Sequence, residues 1–124
     1  MIHPNGGGYV APTAYVAPTA YVGPNAQVLN HARVLDHAIV GGCSIVCGNA
    51  LVMGNAWTTG HAWVGNYAII SEYGSVRGYA QVYGYAQVRG YAIIKDCARV
   101  EDHVEVAGHA EVSDRLSGKQ KVTI

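Results

Sequence analysis

The chain of 124 residues has no Phe, only three Cys and only two Met, and 13% of it is charged. Without Phe, the interior must be built from Ala, Val and Ile, which suits thin repeated layers better than one globular core. Cys43, Cys47 and Cys97 do not form a disulfide framework. Eight basic and eight acidic residues cancel. That balance excludes the electrostatic footprint of a nucleic-acid or membrane-surface binder. No segment is apolar for long enough to span a bilayer as a helix. Charge is also missing locally: residues 1–32 and 37–71 contain no Asp, Glu, Lys or Arg, and eleven of the sixteen charges lie from Lys95 to Lys121. A neutral, aromatic-rich surface over the first two-thirds suits uncharged partners or copies of the same chain. Residues Met1 to Gly8 lack the basic and apolar regions of a signal peptide. Residues 1–7 read as a linker or N-terminal cap, with Gly6-Gly7-Gly8 as the flexible part, and residues 8–124 as one repeat domain.

What the chain has in abundance is a period of six. From Val10 to Ile124, Val or Ile fills 18 of 20 positions spaced six apart, with Thr58 and Gly118 the exceptions. Two residues before each of these, from Ala14 to Val122, Ala stands at 14 of 19 sites. Two residues after, Gly, Pro, Asn or Asp stands at 17 of 19. In Ala50-Leu51-Val52-Met53-Gly54-Asn55, Ala50 and Val52 face one way in a strand and Leu51 and Met53 the other. Gly54-Asn55 is a turn pair. Each hexad is a short strand followed by a corner. A helix is excluded, because six is not a multiple of 3.6 and every hexad carries a breaker. Short sides that all bend the same way wind into a coil of parallel strands, although the period alone leaves two-sided and three-sided coils open.

Val16-Ala17-Pro18-Thr19-Ala20-Tyr21 and Val64-Gly65-Asn66-Tyr67-Ala68-Ile69 carry an aliphatic residue, a small residue, two free positions, a small residue and a free position. On that motif, residues 8–124 resemble the hexapeptide-repeat left-handed parallel β-helix family. The resemblance implies an all-β, single-stranded left-handed parallel β-helix with three hexads per coil and about 6.5 coils, roughly 30 Å long at the usual strand spacing. It also implies a homo-oligomer, with side-by-side trimers favoured. The opening Gly8-Tyr9-Val10-Ala11-Pro12-Thr13 is similar to hexapeptide domains appended to secreted bacterial proteins. The implied setting is secreted or cell-surface, as part of a longer protein.

Eighteen residues per coil would make residues eighteen apart neighbours in outward columns. The corner columns are then Thr13, His31, Asn49, Tyr67, Tyr85, His103; Thr19, His37, Asn55, Tyr73, Tyr91, His109; and Asn25, Cys43, His61, Tyr79, Cys97, Arg115. Tyr67, Tyr73, Tyr79, Tyr85 and Tyr91 either stabilise the stack or form an aromatic platform for a sugar ring. The mid-strand outward residues Ile39, Ile45, Leu51, Trp57, Trp63 and Ile69 form a belt that marks an oligomer interface. Trp57 and Trp63 are also the sharpest candidates for a neutral glycan.

No nucleophile–base constellation, phosphate loop or metal-ligand spacing is present, so no catalytic residue, metal ligand or cofactor is assigned. Cys43 and His61 share a column but supply only two ligands. The family resemblance raises acyl transfer from an acyl-CoA as an alternative, yet no projecting loop interrupts the repeat and no His carries over. The expected function is a non-catalytic binding or assembly module, with carbohydrate binding the specific form and a purely structural spacer the other alternative.

Overall fold

The computed structural model describes residues 1–124 and contains no helix. Twenty short strands, from Tyr9–Val10 to Lys121–Thr123, alternate with corners. They stack in parallel into three sheets of seven, seven and six strands. The chain visits the sheets in rotation, which gives six complete turns and two strands of a seventh. The architecture is a three-sided parallel β-solenoid. Its first face begins at Tyr9–Val10, its second at Tyr15–Val16 and its third at Tyr21–Val22.

Partners are eighteen residues apart from Tyr9↔Gln27 to Ile93↔Glu111. The second residue of each strand points inward, so Val stacks on Val or Ile along each face. The Ala two positions earlier completes the layer. These residues form one core cluster of 29 buried side chains. Neither column has room for a large residue, because the turns above and below lie only about 4.8 Å away.

The corners explain the turn residues. Every sixth residue from Asn30 to Gly108 has φ between +53° and +67°. Eight of these fourteen are Gly, and the others are Asn30, Asp36, Asn66, Glu72, Asp96 and Asp102. Down one corner the order is Asn30, Gly48, Asn66, Gly84, Asp102, Gly118. The side-chain oxygens of Asn30, Asn66 and Asp102 accept the N–H of the glycine one turn on, at 3.0, 3.1 and 2.9 Å. On the next corner Asp36 accepts from Gly54 at 3.0 Å and Glu72 from Gly90 at 2.8 Å. Glu72, an exception to the turn pattern in the sequence, thus does the work of an Asn or Asp. Glycine is needed in between: a Cβ at Gly84 would lie 2.7 Å from the Asp102 nitrogen.

The period does not run unbroken to Ile124. Arg99 pairs with Arg115 and Glu105 with Lys121, each sixteen residues on. The chain therefore drops two residues after Val112. Leu116 and Val122, not Gly118 and Ile124, continue the inward columns beneath Val100 and Val106. Ile124 is 81% exposed. Arg115 sits in the strand Arg115–Leu116 rather than in the corner column with Cys97. Gly118 is a corner residue with φ +79°.

At the other end, residues 1–8 fold across the first turn. Buried His3 places Nε2 2.7 Å from the Ala20 carbonyl, and Asn5 Nδ2 donates to the same oxygen at 3.1 Å. Gly8 N–H donates to the Val22 carbonyl and Val22 N–H to the Asn5 carbonyl.

Thr58 is the one polar residue in the inward Val/Ile columns. It is fully buried, and its hydroxyl has no hydrogen-bond partner. Thr58→Val is expected to stabilise the fold by about 1 kcal/mol or more, since it removes an unsatisfied buried hydroxyl. Gly84→Ala is expected to cost at least about 1–2 kcal/mol, from its left-handed backbone alone. Equilibrium denaturation of both variants measures the two effects, which should have opposite signs.

Candidate binding surface

The eighteen-residue register places like beside like on the outside as well. Between the first and second faces, the rings of Tyr67, Tyr85 and His103 stack at centroid distances of 5.1 and 5.1 Å. Between the second and third faces, Tyr73, Tyr91 and His109 stack at 5.0 and 5.0 Å. On the third corner His61 stacks on Tyr79 at 4.9 Å. The interplanar angles are 4–8°. The spacing follows from the distance between turns and falls within the range of favourable offset stacks.

Stacking limits what these rings can do. Tyr85 lies between Tyr67 and His103, and Tyr91 between Tyr73 and His109, so both faces of each ring are covered. The tyrosines remain 52–64% exposed through their outer edges and hydroxyls. A flat ligand cannot lie on the ring faces of Tyr85 or Tyr91, and each of these two ladders carries only two phenol hydroxyls, since its third ring is His103 or His109.

The belt residues divide by face. Ile45 pairs with Trp63 on the first, Leu51 with Ile69 on the second and Ile39 with Trp57 on the third. On the second face, half-buried Leu35 and Met53 adjoin Leu51 and Ile69. The two tryptophans differ. Trp57 is 51% exposed. Trp63 is half-buried: its indole covers Gly65, where a Cβ would sit 2.9 Å from ring atom Cη2, and it meets Tyr83 edge-on at 5.9 Å. The Trp63 indole is thus occupied by its own face, whereas Trp57 is free.

Tyr83 leads to a group that composition and spacing alone did not single out. Its hydroxyl donates to Glu101 Oε2, and Arg115 Nη2 donates to Glu101 Oε1 at 3.1 Å. The Glu101 side chain is only 13% exposed. The Tyr83 hydrogen bond, then the Arg115 guanidinium, hold the Glu101 carboxyl below its ordinary range. The same hydrogen bond to a carboxylate pushes the Tyr83 phenol up. The signal was in the register, since Tyr83 and Glu101 are eighteen apart. Arg89–Glu105 at 3.2 Å and Lys95–Glu111 at 3.0 Å are further pairs between successive turns.

Other features gather little chemistry. All three cysteines are free, and burial pushes the Cys47 thiol up. No group of three or more His, Cys, Asp or Glu converges as metal ligands. A cavity of about 310 Å³ lies between the N-terminal segment and the first turn, lined by residues including Met1, Ile2, Val10, Tyr15 and Val16. His3 borders it, but its Nε2 is engaged with Ala20. No helix is long and apolar enough to cross a membrane.

Compared with known proteins, the chain matches no family model, no curated protein and no solved structure.

The Tyr83–Glu101–Arg115 group gives a pH dependence with a definite sign. A lowered Glu101 pKa contributes stability above the unfolded value of about 4.3, and that stability is lost as pH falls. A raised Tyr83 pKa contributes below about 10, and its part is lost as pH rises through the folded value. Glu101→Gln should therefore flatten the acid limb of stability against pH. In an ultraviolet titration it should also bring down the Tyr83 step, identified as the one that Tyr83→Phe deletes. Separately, Gly65→Ala in a Trp57→Phe background should lift the Trp63 ring and shift its fluorescence emission to the red.

Proposed function

We propose that this chain is a rigid, non-catalytic binding module for uncharged carbohydrate. One observation carries the reading: two stacked tyrosine pairs, Tyr67–Tyr85 and Tyr73–Tyr91, border the second face at centroid distances of 5.1 and 5.0 Å, in a fold that fixes their spacing. The half-exposed indole of Trp57 on the third face adds a flat apolar surface of the kind sugars pack against. The first two-thirds of the surface is poor in charge, which favours a neutral partner over an ionic one.

A second reading, assembly of identical chains, is supported by a different observation. Leu35, Leu51, Met53 and Ile69 form an aliphatic patch on the second face, and such a patch favours contact with another protein surface. Under this reading the module is a spacer that associates side by side.

A glycan array followed by titration of the full chain separates the two. The carbohydrate reading predicts binding to at least one neutral glycan and weakening by substitutions among Trp57 and the ladder tyrosines. Failure to bind any glycan would sink it. Light scattering at micromolar concentration then decides the assembly reading, which requires a stable oligomer disrupted by Leu51→Glu.

A further inference from the structure

Each turn of the solenoid offers the turn before it the same backbone groups. They are the N–H and carbonyl of the inward residue and the carbonyl two residues earlier. On the second face, for example, the Ala32 and Val34 carbonyls accept from Tyr15 and Ala17 at 3.0 and 2.8 Å. The first turn has no turn before it, and residues 1–8 take that place on two faces only. On the first face the Gly8 carbonyl accepts the His3 N–H at 2.8 Å, and the Val10 N–H donates to the Met1 carbonyl at 2.7 Å. On the third face the Val22 N–H donates to the Asn5 carbonyl, and the Val22 carbonyl accepts the Gly8 N–H. The Ala20 carbonyl there meets His3 Nε2 and Asn5 Nδ2. On the second face the Ala14 carbonyl, the Val16 N–H and the Val16 carbonyl have no partner. The strand Tyr15–Val16 is the uncovered edge of its sheet.

The core is open at the same place. Val34, Val52, Ile70 and Val88 of that column are fully buried, whereas Val16 and Ala14 are only half-buried. Beside them lies the cavity of about 310 Å³, lined by Val10, Ala14 and Val16 of the first turn and by Met1 and Ile2 of the N-terminal segment. One added strand would meet both needs. Its backbone would take up the three free groups, and its inward side chain would extend the column above Val16 into the cavity.

The opening also selects its occupant. A second solenoid cannot stack on this end as a whole, because residues 1–8 already hold the places over the first and third faces. There is room for a single strand. At the C-terminal end the edge strands Glu111–Val112, Arg115–Leu116 and Lys121–Thr123 each carry a charged residue, a common means of keeping an edge unpaired. Tyr15–Val16 carries none, and no Asp, Glu, Lys or Arg lines the cavity. We propose that the N-terminal edge of the second face binds one extended, uncharged peptide strand by β-augmentation. The strand runs parallel to Tyr15–Val16 in the register of the turns below, with a Val or Ile seated on Val16. The site lies apart from Trp57 and the ladder tyrosines, and it stands whether or not the chain binds carbohydrate.

The test is a nuclear magnetic resonance titration of the ¹⁵N-labelled full chain with the peptide acetyl-Ala-Gln-Val-Gln-Gly-amide. In the expected register the first Gln N–H donates to the Ala14 carbonyl and its own carbonyl accepts the Val16 N–H. The second Gln N–H donates to the Val16 carbonyl, and the N–H of the peptide's Val points away. Saturable shifts should centre on the Val16 amide. N-methylation of either Gln should weaken binding roughly tenfold, as expected for one lost hydrogen bond. N-methylation of the peptide's Val should leave the affinity unchanged, and replacing that Val by Asp should abolish binding. No saturable shift up to millimolar peptide would overturn the proposal. So would shifts centred on Lys121–Thr123, equal weakening by all three methylations, or binding that survives the change to Asp.

Discussion

The structure depends on the backbone hydrogen bonds that join each turn to the next. Tyr15 N–H donates to the Ala32 carbonyl and Ala17 N–H to that of Val34, and this pattern repeats along the solenoid. Strands of two residues have no stability alone, and a single turn encloses no core. Stacking supplies both, because it pairs the backbone and closes the Val and Ala columns in one step. The stacking also demands a corner after every strand. From Asn30 to Gly108 a left-handed residue at every sixth position meets that demand, and glycine fills eight of these fourteen corners.

The same register decides the surface. Residues eighteen apart become neighbours, so a repeated tyrosine becomes a ladder and an isolated Glu101 becomes the partner of Tyr83 and Arg115. Exposure in such a fold is no guide to what a ring can bind. Tyr85 and Tyr91 are open to solvent at their edges yet closed on both faces, whereas Trp57 keeps a free indole. The two tryptophans looked alike in sequence, but Gly65 and Tyr83 occupy one of them. What Tyr85 and Tyr91 leave open is therefore their edges and hydroxyls, not their ring faces.

Most of the interior was legible in the sequence, because a core of stacked columns reduces to a period and a parity. The corners were legible for the same reason, and the tyrosine pairs followed once eighteen residues were taken as one turn. Three features were not drawn from the pattern. The loss of two residues after Val112 was hidden because Ile124 happens to fall on the old grid. Leu116 and Val122, six apart and large where Ala was expected, were the sign of it. The stacking of His61, His103 and His109 on the tyrosines beside them in their columns was the second. The burial of Trp63 depends on a contact two residues away on its own face, which the column pattern does not describe.

The central claim is the eighteen-residue register, since every column follows from it. A disulfide test reads that register directly. In a chain with Cys47 and Cys97 replaced by Ser, Cys43 would be offered a partner either by His61→Cys, eighteen residues on, or by Asn55→Cys, twelve residues on. Neighbours one turn apart lie about 4.8 Å from each other, within the Cα separation a disulfide requires. Oxidation followed by peptide mass mapping should find Cys43 bonded within the chain in the His61→Cys variant and unbonded in the Asn55→Cys variant. The reverse result would mean a two-sided coil and would contradict every column described above.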